Sequence, residues 1–175
     1  MKNFLNTKQL QVINSTQIED YCKDRLRDIF IVCNLYGLSL SEAALLTKES
    51  LYSDDNGNEF LILNRQDNKY PKLPLTKFAK LVLSRFDGNQ YCQIMNTLLP
   101  ISDASILNQH MPSVLKSCNI ENDFTAKMTK NTFYENVYYN KCNDALSNEF
   151  GFHYFEILRY FIKEDNEKVK ATTLV

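Results

Sequence analysis

Residues 27–46 read RDIFIVCNLYGLSLSEAALL, and the parse of this stretch sets the architecture. Leu26, Ile29, Phe30, Val32, Cys33 and Leu35, with Tyr21 upstream, suit a core helix spanning about residues 17–36. Tyr36-Gly37-Leu38 then turns the chain. Ser39 and Glu42 form an S-x-x-E pattern, in which hydroxyl and carboxylate satisfy each other's backbone N–H groups. A new helix is therefore expected to open there, ahead of Ala43, Ala44, Leu45 and Leu46. On this reading alone Ser39 is a plain helix cap.

Working outward, residues 7–15 carry a short helical pattern with Leu10, Ile13 and nearby Phe4 as anchors. Asp54-Asp55-Asn56-Gly57-Asn58 is a turn cluster leading into a strand, EFLILN, over residues 59–64. Gln66-Asp67-Asn68 is a second turn, followed by a strand, YPKLPL, over residues 70–75, whose prolines suit a sheet edge. Residues 76–85 put Phe78, Leu81 and Val82 on one helical face, and Asp87-Gly88-Asn89 closes that segment. Another helix is expected over residues 102–117 and a loop over 118–123. Thr125 or Thr129 is the expected cap of a long helix to about Lys141, with Phe133, Tyr134, Val137 and Tyr138 as a core stripe. A short helix over residues 145–150 ending near Gly151, and an apolar helix over 155–161, complete the pattern. Helices with one small antiparallel sheet make the expected class mainly α with a β insert (α+β). One domain is expected over residues 1–162, with a charged tail at 163–175.

Composition bounds the function classes. With 44% hydrophobic and 23% charged residues the chain reads as an ordinary soluble globular protein. No apolar run approaches the roughly 18 residues of a membrane span, and no secretory signal is expected from MKNFLNTKQLQVI. Cys22, Cys33, Cys92, Cys118 and Cys142 are odd in number and widely spaced. They suit reduced thiols in a cytoplasmic protein, with neither a disulfide framework nor a zinc site. His110 and His153 are the only histidines, so no metal and no cofactor are expected. Twenty Lys and Arg against 21 Asp and Glu give a net charge of −1, whereas a dedicated DNA-binding domain is usually basic.

Four landmarks, in order along the chain, resemble the tyrosine recombinases (phage-type integrases), most closely those of Bacteroides-type mobile elements. Leu38-Ser39-Leu40-Ser41-Glu42 is similar to the family's T-G-L-R-[IF]-S-E turn, with Ser39 in the slot of the phosphate-gripping arginine. RQDNKYPKLPL, residues 65–75, resembles the R-Q-K-T hairpin that ends in P-L, with Asp67 in the lysine slot. Lys69, two residues on, shares a face with it in an extended hairpin. FTAKMTKNTF, residues 124–133, resembles [LI]-T-x-H-x-x-R-H-T-F, with Lys127, Lys130 and Asn131 in the His, Arg and His slots. GFHYFEILRYF, residues 151–161, resembles G-H-x-[SN]-I-x-T-T-Q-I-Y, placing Phe152 in the histidine slot and Phe161 in that of the nucleophilic tyrosine.

What the resemblance implies is a recombinase catalytic-type domain that starts without the N-terminal arm domain and has lost its reaction. Serine lacks the always-charged planar fork that clamps phosphate. Asp67 repels phosphate, Lys130 loses bidentate geometry, and Phe161 has no oxygen with which to form a phosphotyrosyl bond. Ser39, Asp67, Lys127, Lys130, Asn131, Phe152 and Phe161 are thus degenerate slots, and none is expected to be catalytic. The bland alternative for Lys127 and Lys130 is solvated surface lysine.

The expected function is a pseudoenzyme in DNA integration or recombination that binds DNA or an active recombinase. Arg65, Lys69, Lys72, Lys77, Lys80 and Arg85, with Lys127 and Lys130, are the candidate DNA contacts. The tail at 163–175 is the candidate contact for homo- or hetero-oligomers. Two other readings stand beside it. One is a residual strand transferase using Tyr160, although one helical residue turns a side chain by about 100° from the Phe161 slot. The other is an unrelated helical interaction module.

Overall fold

In a computed structural model the chain is mainly helical with one three-stranded antiparallel sheet. The structure describes residues 3–63, 72–121, 123–139 and 148–173. Helix α1 is Thr7–Ser15, capped by Asn6 through a full capping box with Gln9. Helix α2, Tyr21–Tyr36, is the axis of the molecule: every residue from Leu26 to Tyr36 is buried. A helix buried around its whole circumference belongs inside a protein, and α1 and four helices later in the chain pack around this one. It starts later than the sequence suggests, because Asp20 accepts from the Lys23 N–H and serves as the cap.

Two charged residues lie within that buried run. The Asp28 carboxylate accepts from Arg27 and, at 2.7 Å, from Arg85, and pairs with Arg25 at 3.2 Å. Buried charge is tolerated when paired in this way. The network ties α2 to the end of helix α4, Lys77–Ser84.

After the short helix α3, Leu40–Ala43, and a 3-10 turn at Lys48–Ser50, the chain forms β1, Leu51–Ser53, β2, Glu59–Ile62, and β3, Lys72–Pro74. The order is β1-β2-β3, with Leu51 opposite Leu61 and Leu61 opposite Leu73. Leu61 and Leu73 point into the core. Alternation then sends Tyr52, Phe60, Lys72 and Pro74 to the outer face. The proline-bearing β3 is an edge strand, as expected. The first turn is a hairpin in which the Asp54 carboxylate accepts from the Asn56 and Asn58 N–H groups.

Helix α5, Gln90–Met95, is capped by Asn89, and α6, Ala104–Ser117, by Asp103. Helix α7, Met128–Tyr134, passes into a π-helical turn, Glu135–Tyr139. Neither Thr125 nor Thr129 caps α7: Lys127 occupies that position without a side-chain bond, and Thr129 is buried. The expected stop near Gly151 is also corrected. A single helix α8, Glu149–Thr173, runs through that glycine, because Phe150, Tyr154, Ile157 and Phe161 bury one continuous stripe. The roughly 1 kcal/mol cost of an interior glycine is outweighed by side chains whose burial contributes about 1.5–3 kcal/mol each. The expected extent to Lys141 and the start of the 145–150 helix lie outside the described residues. Among the described residues no helix is long and apolar enough to cross a membrane.

Candidate functional site

Gly37 ends α2 in the left-handed conformation, at φ 61°. A side chain there would meet Phe133 at 2.8 Å. Only glycine meets both demands, and the first-landmark turn is thereby pressed directly onto α7, the third landmark.

Ser39 follows two residues later and caps α3 reciprocally with Glu42. Its Oγ accepts from the Glu42 N–H at 3.2 Å, while Glu42 Oε2 accepts from the Ser39 N–H at 2.8 Å and from the Ser39 hydroxyl at 2.9 Å. The other carboxylate oxygen, Oε1, accepts from the Lys130 ammonium at 2.8 Å. Two slots 91 positions apart in the sequence, Ser39 and Lys130, therefore converge on one acid that is only 5% exposed. Burial alone would push the Glu42 carboxyl up, but the bonds from Lys130 and Ser39 outweigh it and hold the group below its ordinary range. The charge of the Glu42 carboxylate is thus matched internally by the Lys130 ammonium.

Asn131 is used differently. Its amide donates to the Asn3 carbonyl, while Thr132 Oγ1 accepts from the Leu5 N–H and Asn136 donates to the Leu5 carbonyl. These bonds fasten the first described residues to α7 and the π-helical turn that follows it. Lys127 is exposed and in no ion pair among the described residues.

Around the nucleophile slot, Phe161 is buried and lies parallel to Tyr138, with ring centroids 6.2 Å apart. Tyr138 in turn stacks on Tyr134, one turn beyond Lys130. Phe152 is 53% exposed, whereas its neighbour His153 is 1% exposed. The Tyr160 hydroxyl donates along its own helix to Glu164 at 2.5 Å, and the ring lies against Phe60. Burial, then the Glu164 contact, pushes the pKa of the Tyr160 phenol well above that of a free phenol. A phenol so held is a poor source of nucleophilic phenolate.

Asp67, Arg65 and Lys69 lie outside the described residues. Of the other candidate DNA contacts, Lys72 sits 3.9 Å from the Phe60 ring centre and 5.1 Å from that of Tyr52. Lys80 is paired with Glu59, and Arg85 is held by Asp28 and Asn14. Lys77 is exposed and in no ion pair among the described residues. Lys72, Lys77 and Lys80 line one groove of about 1170 Å³ between the outer sheet face and α8, which also bears carboxylates on its walls.

Sequence reasoning missed two groups that organise this region. Glu42 was visible as a cap partner, but its second oxygen binds a residue 88 positions away. His153 was read only as one of two histidines; it accepts from the Thr76 hydroxyl at Nδ1, 2.8 Å, and donates from Nε2 to the Leu35 carbonyl, 2.7 Å. Among the described residues no group of three or more His, Cys, Asp or Glu side chains is placed to hold a metal ion. Comparison with protein-family models and with curated proteins returns no match.

Proposed function

We propose that this chain is a tyrosine-recombinase-like domain, of the mobile-element integrase kind, that no longer cuts DNA and acts in recombination by binding another protein, an active recombinase. The observation that carries the reading is the Lys130–Glu42–Ser39 cluster. In the family pattern these slots hold cations that face the scissile phosphate. Here one cation is gone and the other neutralises an internal carboxylate. Loss of each phosphate-stabilising donor costs on the order of 10²-fold or more in rate, and Phe161 removes the nucleophile outright. The Gly37 turn packs on Phe133, which brings the first and third landmarks together as the proposed reading requires.

Protein is favoured over DNA as the partner because most of the described candidate cations already have internal partners. Lys72 lies on aromatic rings, Lys80 is paired with Glu59, and Arg85 with Asp28. A second reading, direct DNA contact, draws on the exposed and unpaired Lys77 and Lys127. Placement in the cytoplasm belongs to the same proposal and draws on free thiols at Cys22, Cys33, Cys92 and Cys118.

Three measurements test this. A nicked suicide substrate that traps phosphotyrosyl intermediates is expected to give no adduct with the wild type or with Tyr160→Phe. A trapped adduct that vanishes in Tyr160→Phe refutes the loss of activity. Mixing with an active recombinase is expected to shift the elution of both proteins to a larger species. Salt-sensitive retardation of duplex DNA, weakened by Lys77→Glu and Lys127→Glu, would favour the second reading instead.

A further inference from the structure

Residues 3–5 run ahead of α1 outside any helix or strand, held by side chains of α7 and its flanks. The Leu5 N–H donates to Thr132 Oγ1 at 3.0 Å, and the Leu5 carbonyl accepts from the Asn136 amide at 2.7 Å. The Asn3 carbonyl accepts from the Asn131 amide at 3.1 Å, and the Asn3 side-chain oxygen accepts from the Thr125 hydroxyl at 2.8 Å. Leu5 is 0% exposed, and the Thr132 and Asn136 side chains that bond both of its main-chain groups are buried too. Buried Thr and Asn side chains on a helix commonly bond back to that helix. Asn136 does so, donating to the Thr132 carbonyl at 2.8 Å, but its amide also serves Leu5, and Thr132 Oγ1 accepts from a segment 127 positions away. Asn136 lies in the π-helical turn, a feature concentrated at functional sites.

Helix α1 does not need these contacts for its start. Asn6 Oδ1 accepts from the Gln9 N–H at 2.9 Å, and Gln9 Oε1 accepts from the Asn6 N–H at 3.0 Å, so the cap closes locally. Leu10 and Ile13 then bury α1 on their own account. The chain is therefore divided at Asn6 into a helix that is complete in itself and a strap with one fully buried side chain.

We infer that Thr125, Asn131, Thr132 and Asn136 form a seat for a linear peptide with leucine two residues after asparagine, filled here by residues 3–5 as a strap that detaches at Asn6. The leucine side chain enters the core, and the asparagine side chain meets the Thr125 hydroxyl. Side chains that bond both the N–H and the carbonyl of one residue select a main chain free of its own secondary structure, as strand addition does. The inference goes beyond the proposed function and holds whether or not the domain is recombinase-like.

The test uses the full chain carrying Leu5→Asp, which sets a charge against the apolar recess and so empties the seat, and a labelled, end-capped peptide of residues 2–6, KNFLN. Fluorescence anisotropy is expected to show saturable binding to Leu5→Asp. Binding to the wild type is expected to be weaker by about tenfold or more, because the tethered strap competes at a high effective concentration. The same peptide with Leu5→Asp is expected not to bind. Adding Thr132→Val to the Leu5→Asp chain removes the acceptor for the leucine N–H and is expected to weaken binding by about fivefold or more. Native-state hydrogen exchange of the wild type is the second readout. The Leu5 amide is expected to exchange about tenfold or more faster than the amides of residues 29–33 in α2, and faster still when excess KNFLN holds the strap off. A peptide that binds neither protein, that binds both alike, or that is indifferent to Thr132→Val overturns the seat. A Leu5→Asp chain that fails to fold, with a wild-type Leu5 amide that exchanges no faster than α2 and ignores the peptide, makes the strap a fixed part of the fold and refutes the inference. If that variant fails to fold but the wild-type Leu5 amide exchanges fast and responds to the peptide, the inference stands.

Discussion

Titration of His153 should govern how stability falls with mild acid. The imidazole is 1% exposed and is held neutral, accepting from Thr76 and donating to the Leu35 carbonyl. Its nearest rings belong to Tyr36 and Tyr154. Burial pushes both phenols up, so neither carries the negative charge that would favour imidazolium. Burial lowers His153 from its ordinary 6.5 to about 4, and the bond to Leu35 only partly opposes this. The unfolded chain therefore binds the proton more readily than the native one, and stability is lost as pH falls below 6.5, until the native imidazole itself protonates near 4. Between pH 7.5 and pH 5 the loss is RT times the logarithm of the ratio of the two binding polynomials, about 2 kcal/mol. Carboxylates held low, such as Glu42, act in a separate window: their contribution is present above about pH 4.5 and is lost only as pH falls further. Urea unfolding across pH 5–7.5 reads the slope directly. The wild type should lose about 2 kcal/mol, and His153→Gln, though less stable at pH 7.5, should lose much less over the same range. A flat wild-type profile, or a variant with the wild-type slope, refutes the assignment.

Lys130→Met leaves Glu42 buried beside Ser39 without its cation; because Lys130 is 31% exposed, the expected cost in urea unfolding is about 1–2 kcal/mol, below that of a fully buried pair. Lys130→Arg keeps the charge and should recover most of this loss. Gly37→Ala combines a left-handed backbone with a Cβ 2.8 Å from Phe133, so a loss of about 2–4 kcal/mol is expected, read as a large drop in melting temperature. Asn148→Ala removes the acceptor for the Gly151 N–H at the start of α8 and should cost about 1 kcal/mol in the same assay.

Elements announced by local chemistry were legible in the sequence. Helix α1 lies where its apolar spacing put it, and the Ser39–Glu42 box caps α3 because a cap and its partner are three residues apart. β1 was not legible: Leu51–Ser53 is three residues, all exposed, and owes its conformation to pairing with β2. Helix α5 was missed because Asn89 reads equally as the end of a turn and as a cap, which is its role here. Gly151 misled for the opposite reason, since its local signal is overridden by the stripe that α8 buries. In the candidate site the positions of Ser39, Lys130 and Phe161 were legible but their partners were not. Glu42 with Lys130, and Tyr138 with Phe161, are contacts between distant segments that no local spacing encodes.

A cleft that stabilises a phosphorane-like transition state has to keep its cations unpaired in the resting protein, because a carboxylate already bound must be displaced before the phosphate is held. That requirement opposes stability, since unpaired charge at a half-buried site is costly. On the proposed reading, Phe161 in the nucleophile slot removes that requirement, and pairing Lys130 with Glu42 stabilises the fold. Lys80 with Glu59, and Lys72 on Phe60, follow the same direction. On the proposed reading, the Lys130–Glu42 contact that remains is a structural joint between α3 and α7.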